Sequence, residues 1–279
     1  MNSGESNSRS RIGACSWSLK ADGPDALVEL LEKVGVDAVQ LHLDPLRTGA
    51  WSEDKTKAAF ARAEIDVRSG MMSMEAEDYS SLESIERTGG VRPSSTWPQN
   101  LAAAQANAQL ARRLGIPLVT FHAGFLPHER SDPERKALID RLGQMVDVFA
   151  AENVRVGFET GQESAATLLG VLAELNRPTL GVNFDPANMI LYGMGDPVAA
   201  LRELLPYVFQ VHIKDATRSL AKGAWGEEVR VGTGQVDWRA FFAVLSEHDL
   251  DVDRMIEREA GTQRVPDMRA ARELLEQLP

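Results

Sequence analysis

The chain has 279 residues and a formal net charge of -11, with 43% hydrophobic and 25% charged residues, a composition with ample material for a folded core. The acidic balance and the lack of a basic stripe weigh against binding to nucleic acid, and no stretch approaches the roughly 20 apolar residues that a membrane span requires. A lone cysteine, Cys15, excludes an internal disulfide and suits a reducing cytoplasm.

Met1 to Ser10 is polar and lacks the apolar core of a secretory signal, so it reads as a disordered leader before a folded region over 11–279. Arg11 to Cys15 is a first short strand. A helix over Pro24 to Val34 follows, with Leu27, Leu30, Leu31 and Val34 at helical spacing and Gly35 as its stop. Ala38 to Leu43 is the second strand, Ser52 to Glu64 the second helix with Ser52 as N-cap, and Ile65 to Met72 the third strand. Ser73 to Trp97 is polar and turn-rich and too long for a minimal connection, which leaves a lid or substrate loop and an ordinary surface excursion as the two readings.

Pro98 to Leu114 is an alanine-rich helix, Pro117 to His122 the fourth strand, and Asp132 to Ala151 a long helix with Pro133 suited to its first turn. Val154 to Glu159 and Ser164 to Leu175 form the fifth strand and helix, and Leu180 to Asp185 and Pro197 to Leu205 the sixth. Val208 to Ile213 is the seventh strand, with its helix at Trp238 to His248 after a long loop. Arg254 to Glu257 and Pro266 to Leu278 close the series. Eight strand-then-helix units without a composition break argue for an α/β fold, a single-domain (β/α)8 TIM barrel. The alternative is an open doubly wound sheet, whose dinucleotide-binding form needs a glycine-rich turn after its first strand. Ile12-Gly13-Ala14-Cys15-Ser16-Trp17 has none.

Four of these strands end on a chemically active residue: Glu159, Asp185, His212 and Glu257. A barrel brings the C-terminal ends of its strands to one face, so these residues can meet although they are distant in sequence. Three carboxylates and one imidazole make a mostly oxygen-donor site suited to one divalent metal ion, Mn²⁺, Mg²⁺ or Co²⁺, with Zn²⁺ also possible. The competing reading is that each group is satisfied separately by a helix N-terminus or a lysine.

Phe158-Glu159-Thr160-Gly161-Gln162, Asn183-Phe184-Asp185, His212-Ile213-Lys214-Asp215, Gly232-Thr233-Gly234 with Asp237, and Ile256-Glu257 resemble the motifs of the xylose isomerase-like TIM-barrel family. That family includes sugar phosphate isomerases and epimerases, ketose 3-epimerases, inosose dehydratases and the endonuclease IV branch. The resemblance covers the second half of the chain in motifs and the first half mainly in rhythm. It implies a divalent metal on Glu159, Asp185, His212 and Glu257, with Glu159 and Glu257 also the catalytic acid and base. One glutamate would take a proton beside the substrate carbonyl, the metal would stabilise the enediolate, and the other would return a proton on the opposite face.

The implied activity is that of a metal-dependent isomerase or epimerase on a small-molecule carbohydrate, a sugar, sugar phosphate or polyol ketone, in the cytoplasm and as a possible homo-oligomer. A lyase or dehydratase is the neighbouring alternative, since the same enediolate can expel a β-substituent, and a non-catalytic sugar-binding barrel is the second. The endonuclease branch uses a multi-zinc cluster with more histidines than His42, His122, His128, His212 and His248 supply.

Two departures stand out. Asn188 occupies the place where ketose 3-epimerases often have a histidine, and Glu259, two residues past Glu257, competes as a ligand if the strand continues. The expected substrate-binding residues are His122, Gln162, Asn188, Lys214, Trp17 and Arg218. Lys214 is read either as a hold on a substrate oxygen or as the partner of Asp215, and Trp17 as a stacking surface or a buried aromatic. Arg218 and Arg230 are candidate phosphate ligands or solvated arginines. His42 is ambiguous, and Cys15 reads as a small core residue.

Overall fold

The structure, a computed structural model, describes residues 11–221 and 223–278; the leader expected over residues 1–10 lies outside the described residues. The strands are β1 (Ile12–Cys15), β2 (Ala38–His42), β3 (Asp66–Met71), β4 (Leu118–Phe121), β5 (Arg155–Glu159), β6 (Leu180–Phe184) and β7 (Val208–Ile213). A hairpin of β8 (Asp215–Thr217) and β9 (Glu227–Val229) precedes the last strand, β10 (Asp253–Ile256). β1 to β7 and β10 form a closed parallel barrel in the order β1-β10-β7-β6-β5-β4-β3-β2. Closure pairs Ile12 with Arg254, Gly13 with Met255 and Ala14 with Ile256.

Because the strands are parallel, all their C-terminal ends open on one face. Along β2, β6 and β7 polar residues alternate with apolar ones: Gln40 between Val39 and Leu41, Asn183 between Val182 and Phe184, and Gln210 and His212 beside Val211 and Ile213, all of them buried. The two-residue period of a strand sends one set to the helices and the other into the barrel.

The outer helices follow the expected chemistry. Pro24–Val34 buries Leu27, Val28, Leu31 and Val34 and stops at Gly35 with φ 87°; Leu30, expected with them, is only partly buried. Ser52, Asp132 and Ser164 each accept a backbone N–H at the starts of Glu53–Arg62, Pro133–Ala151 and Ala165–Leu175. The second helix ends before the expected Glu64, which takes a left-handed φ of 55°.

Three features correct the sequence reading. The 73–97 segment holds a helix at Leu82–Thr88. The loop after β7 contains the β8–β9 hairpin, and Asp185 is not the end of a strand but the N-cap of a helix, Pro186–Tyr192. Short helices also follow β1 and β2, at Ser16–Leu19 and Asp44–Arg47. Elements of three to seven residues are too short to show a hydrophobic period.

Candidate metal centre

Glu159, Asp185, His212 and Glu257 converge at the mouth of the barrel, with ligand atoms all within 4.8 Å of one another. His212 Nδ1 lies 3.5 Å from Glu159 Oε1, 3.5 Å from Asp185 Oδ2 and 3.1 Å from Glu257 Oε2. All four residues are buried.

Each side chain is oriented by a neighbour, and in Asp185 and Glu257 this leaves a second oxygen facing the centre. Asp185 Oδ1 accepts the Asn188 N–H at 2.9 Å as the helix cap, while Oδ2 has no hydrogen-bond partner. Its backbone is tied to the end of β5: the Asp185 N–H donates to Thr160 Oγ1 at 2.8 Å, and that hydroxyl donates to Asp185 O at 2.9 Å. The Trp17 indole N–H donates to Glu257 Oε1 at 2.7 Å, and Glu257 Oε2 is without a hydrogen-bond partner. Glu159 Oε1 accepts from Asn188 Nδ2 at 2.9 Å. His212 Nε2 sits 2.7 Å from Gln40 Oε1 and 2.9 Å from Asn183 Nδ2, and Nδ1 is turned to the carboxylates.

This arrangement fits a divalent cation. Bonds of about 2.0–2.6 Å to one ion put its donor atoms no more than about 5 Å apart. Three buried atoms of the set, Asp185 Oδ2, His212 Nδ1 and Glu257 Oε2, have no hydrogen-bond partner and face one another. Such groups are costly unless something else satisfies them. The field of the cluster also calls for positive charge. Burial alone would raise the Glu159 carboxyl, but His122, His212 and Lys214 outweigh it and hold the group well below the usual range. Burial disfavours the His212 cation, yet the surrounding carboxylates raise its pKa well above the ordinary value.

A polar layer beneath the four residues was not legible as part of the site. Gln40 Nε2 donates to Thr120 Oγ1 at 2.8 Å, Ser69 Oγ to Gln210 Oε1 at 2.6 Å, and Gln210 Nε2 to Gln40 Oε1 at 3.0 Å and Asn183 Oδ1 at 3.1 Å. The sequence signal is a lone amide inside an apolar strand. Cys15 Sγ lies 3.7 Å from His212 Nε2 and groups with His212 and Glu257 as a second set of ligand atoms within 4.8 Å of one another; burial pushes its thiol up to about 12.

Of the two readings of Lys214, the pairing with Asp215 does not form. Lys214 Nζ lies 2.8 Å from Glu259 Oε2, 3.2 Å from Glu257 Oε2 and 3.9 Å from Asp185 Oδ2. Asp215 instead accepts the backbone N–H groups of Ala216, Gly232, Gly234 and Val236 and the Trp238 indole N–H, which folds the loop after β7 around it. A Cβ at Gly234 would come within 2.1 Å of Asp215 Oδ1, so this part of the motif is a backbone cradle. Glu259, with a side chain 52% exposed, lies outside the donor set that includes Glu257.

A cavity of about 430 Å³ opens above the four residues, and its lining includes Trp17, His122, Asn188 and Lys214 from the expected set. His122 Nε2 is 3.5 Å from Glu159 Oε1. The 73–97 segment adds Ser73, Glu77 and Tyr79, and the hairpin loop adds Trp225. Gln162 lines an adjoining cavity of about 390 Å³ together with Glu163 and His128, and its Nε2 donates to Tyr192 Oη at 3.3 Å. Arg218 and Arg230 are exposed and line neither cavity. His42 pairs with Asp44 at 3.2 Å, apart from the donor set.

No curated protein matches the chain by sequence. Among solved structures, a xylose isomerase domain protein from Planctomyces limnophilus is 34% identical with a TM-score of 0.87, the alignment covering 97% of each chain. D-allulose 3-epimerase from Methylomonas sp., solved in complex with D-allulose, shares the fold at 15% identity and a TM-score of 0.72, covering 97% of this chain and 98% of that one. A xylose isomerase-like TIM barrel protein from Mycobacterium smegmatis, solved with magnesium, does so at 16% identity and a TM-score of 0.70, covering 96% and 95%. A family model described as xylose isomerase-like TIM barrel matches residues 28–278, and with the closed eight-stranded barrel this places the chain in the xylose isomerase-like TIM-barrel family.

Proposed function

We propose that the protein is a divalent-metal-dependent isomerase or epimerase acting on a sugar or a related polyol ketone, with Glu159 and Glu257 as the proton-transfer pair. The observation that carries this reading is the buried four-residue set in which three ligand atoms face inward without a hydrogen-bond partner. Support comes also from the fold shared with an epimerase solved with D-allulose and with a barrel solved with magnesium.

Glu159, Asp185, His212 and Glu257 would hold the ion. When bound, it supplies positive charge beside the oxygen that turns anionic as a proton leaves the adjacent carbon. The glutamates come from β5 and β10, which have β6 and β7 between them in the barrel, so they approach a bound substrate from different sides. One takes the proton from the carbon beside the carbonyl, and the other delivers a proton to the carbon that is rebuilt. Asn188 and Trp17 each fix one oxygen of this pair, limiting the rotation of the proton-carrying groups. Lys214, buried between Glu257 and Glu259, is placed to hold a substrate oxygen.

The test is solvent-deuterium uptake into ketoses by metal-reconstituted protein. Incorporation beside the carbonyl that is lost in both Glu159→Gln and Glu257→Gln supports the reading, and incorporation unchanged in either variant sinks it. A product from which a β-substituent has left would assign the lyase reaction instead.

A further inference from the structure

The cavity above the four residues has an unusual charge balance. Glu77, Glu159, Glu228, Glu257 and Glu259 all line it, and among the described residues Lys214 is the single lysine or arginine in the lining. That lysine is 3% exposed and already held by Glu259, Glu257 and the Asn188 amide oxygen. Arg258, just outside, is bound to Glu228 at 2.7 Å and Asp267 at 2.9 Å. Arg218 and Arg230, which the sequence offered as phosphate ligands, lie outside the lining. With a divalent cation on the four ligands, Lys214 counted, Arg258 set against Glu228 and His122 neutral, the carboxylates including Asp185 still exceed the positive charges by two. Leaving Glu77 out of the count altogether still gives an excess of one.

A phosphoryl group brings about -1.5 to -2 more charge and three strong acceptor oxygens. Carboxylates on the wall repel such a group and offer it no donors. They suit hydroxyl groups, which donate to them. Beside Ser73, His122 and Asn188, the lining carries five aromatic rings, Trp17, Tyr79, Phe121, Tyr192 and Trp225, and the Tyr192 and Trp225 rings are 4.8 Å apart. Aromatic faces take the C–H faces of a sugar ring without requiring charge.

We infer that the substrate is an uncharged polyhydroxylated ketone, a free ketose or a keto-glycoside, and that phosphorylated sugars and sugar acids are excluded by the carboxylates around the mouth. This rests on the proposed sugar isomerase or epimerase reading and narrows its substrate class.

The test is equilibrium binding to the metal-reconstituted protein, followed by tryptophan fluorescence because Trp17 and Trp225 line the cavity. The probes are matched pairs, fructose against fructose 6-phosphate and ribulose against ribulose 5-phosphate, at low and at high salt. The free ketose is expected to bind at least tenfold more tightly than its phosphate, with the gap shrinking as salt screens the repulsion. Glu77→Gln is expected to narrow the gap at low salt. A phosphate that binds as tightly as the free sugar, or whose binding weakens with salt as at a cationic site, overturns the inference while leaving the isomerase reading intact. A metal-loaded protein that binds no member of either pair overturns both.

Discussion

The Trp17 indole N–H holds Glu257 Oε1 at 2.7 Å and thereby leaves Oε2 as the oxygen nearest His212 Nδ1, at 3.1 Å. A tryptophan from just beyond β1 thus decides which oxygen of a glutamate after β10 faces the candidate metal. Trp17→Phe keeps the ring and removes the donor. Metal affinity or turnover is expected to fall about 10- to 100-fold, the usual consequence of losing a partner that orients a ligand. Equilibrium metal titration with parallel rate measurement checks it, and unchanged values would show that the indole only fills space.

Asn188 bridges two parts of the site, donating to Glu159 Oε1 at 2.9 Å and accepting from Lys214 Nζ at 3.3 Å. Asn188→Ala removes both contacts while Lys214 keeps Glu257 and Glu259. Turnover is expected to drop 10-fold or more while the thermal midpoint moves by only a few degrees. Equal loss of folded protein and of activity would mean that Asn188 is structural.

The polar layer is a stability element as well. Gln40→Leu strips buried Thr120 Oγ1 of its Gln40 donor and takes the Gln40 oxygen from His212 Nε2 and from Gln210 Nε2, which keeps Asn183 Oδ1. Buried groups left unpaired cost about 1–3 kcal/mol each. Urea unfolding of the metal-free protein is expected to show a loss in this range, and a neutral result would contradict the network as drawn.

Glu163 supplies a pH prediction. Burial pushes its carboxyl up to about 8. A native pKa above the unfolded one means that its contribution is complete below the unfolded value, about 4.3, and is lost as pH rises toward 8. Relative to Glu163→Gln, the wild type should lose stability across pH 5 to 8 at up to about 1.4 kcal/mol per pH unit. Denaturant unfolding at several pH values reads this directly, and parallel profiles for the two proteins would exclude it.

The barrel was legible because most of its strands are short apolar runs followed by a helix, and because Gly35, Ser52, Asp132 and Ser164 mark helix ends. The four candidate ligands were legible because Glu, Asp or His at the end of an apolar strand has no role in a core. What stayed hidden depends on contacts across the chain. Nothing local to Gln40 announces Gln210, 170 residues away, or His212. Lys214 and Asp215 are adjacent, but strand alternation turns them apart, one toward the carboxylates and the other into the loop cradle. The helix capped by Asp185 and the hairpin carrying Trp225 were missed because both are too brief to leave a period.

The most direct test of the central claim is the metal content of the purified and reconstituted protein, measured by elemental analysis beside Glu159→Gln and Asp185→Asn. About one equivalent of Mn, Mg, Co or Zn in the wild type, lost or much weakened in both variants while the fold persists by circular dichroism, is the expected result. No bound metal after reconstitution, or full occupancy retained in both variants, would contradict a centre built from Glu159, Asp185, His212 and Glu257.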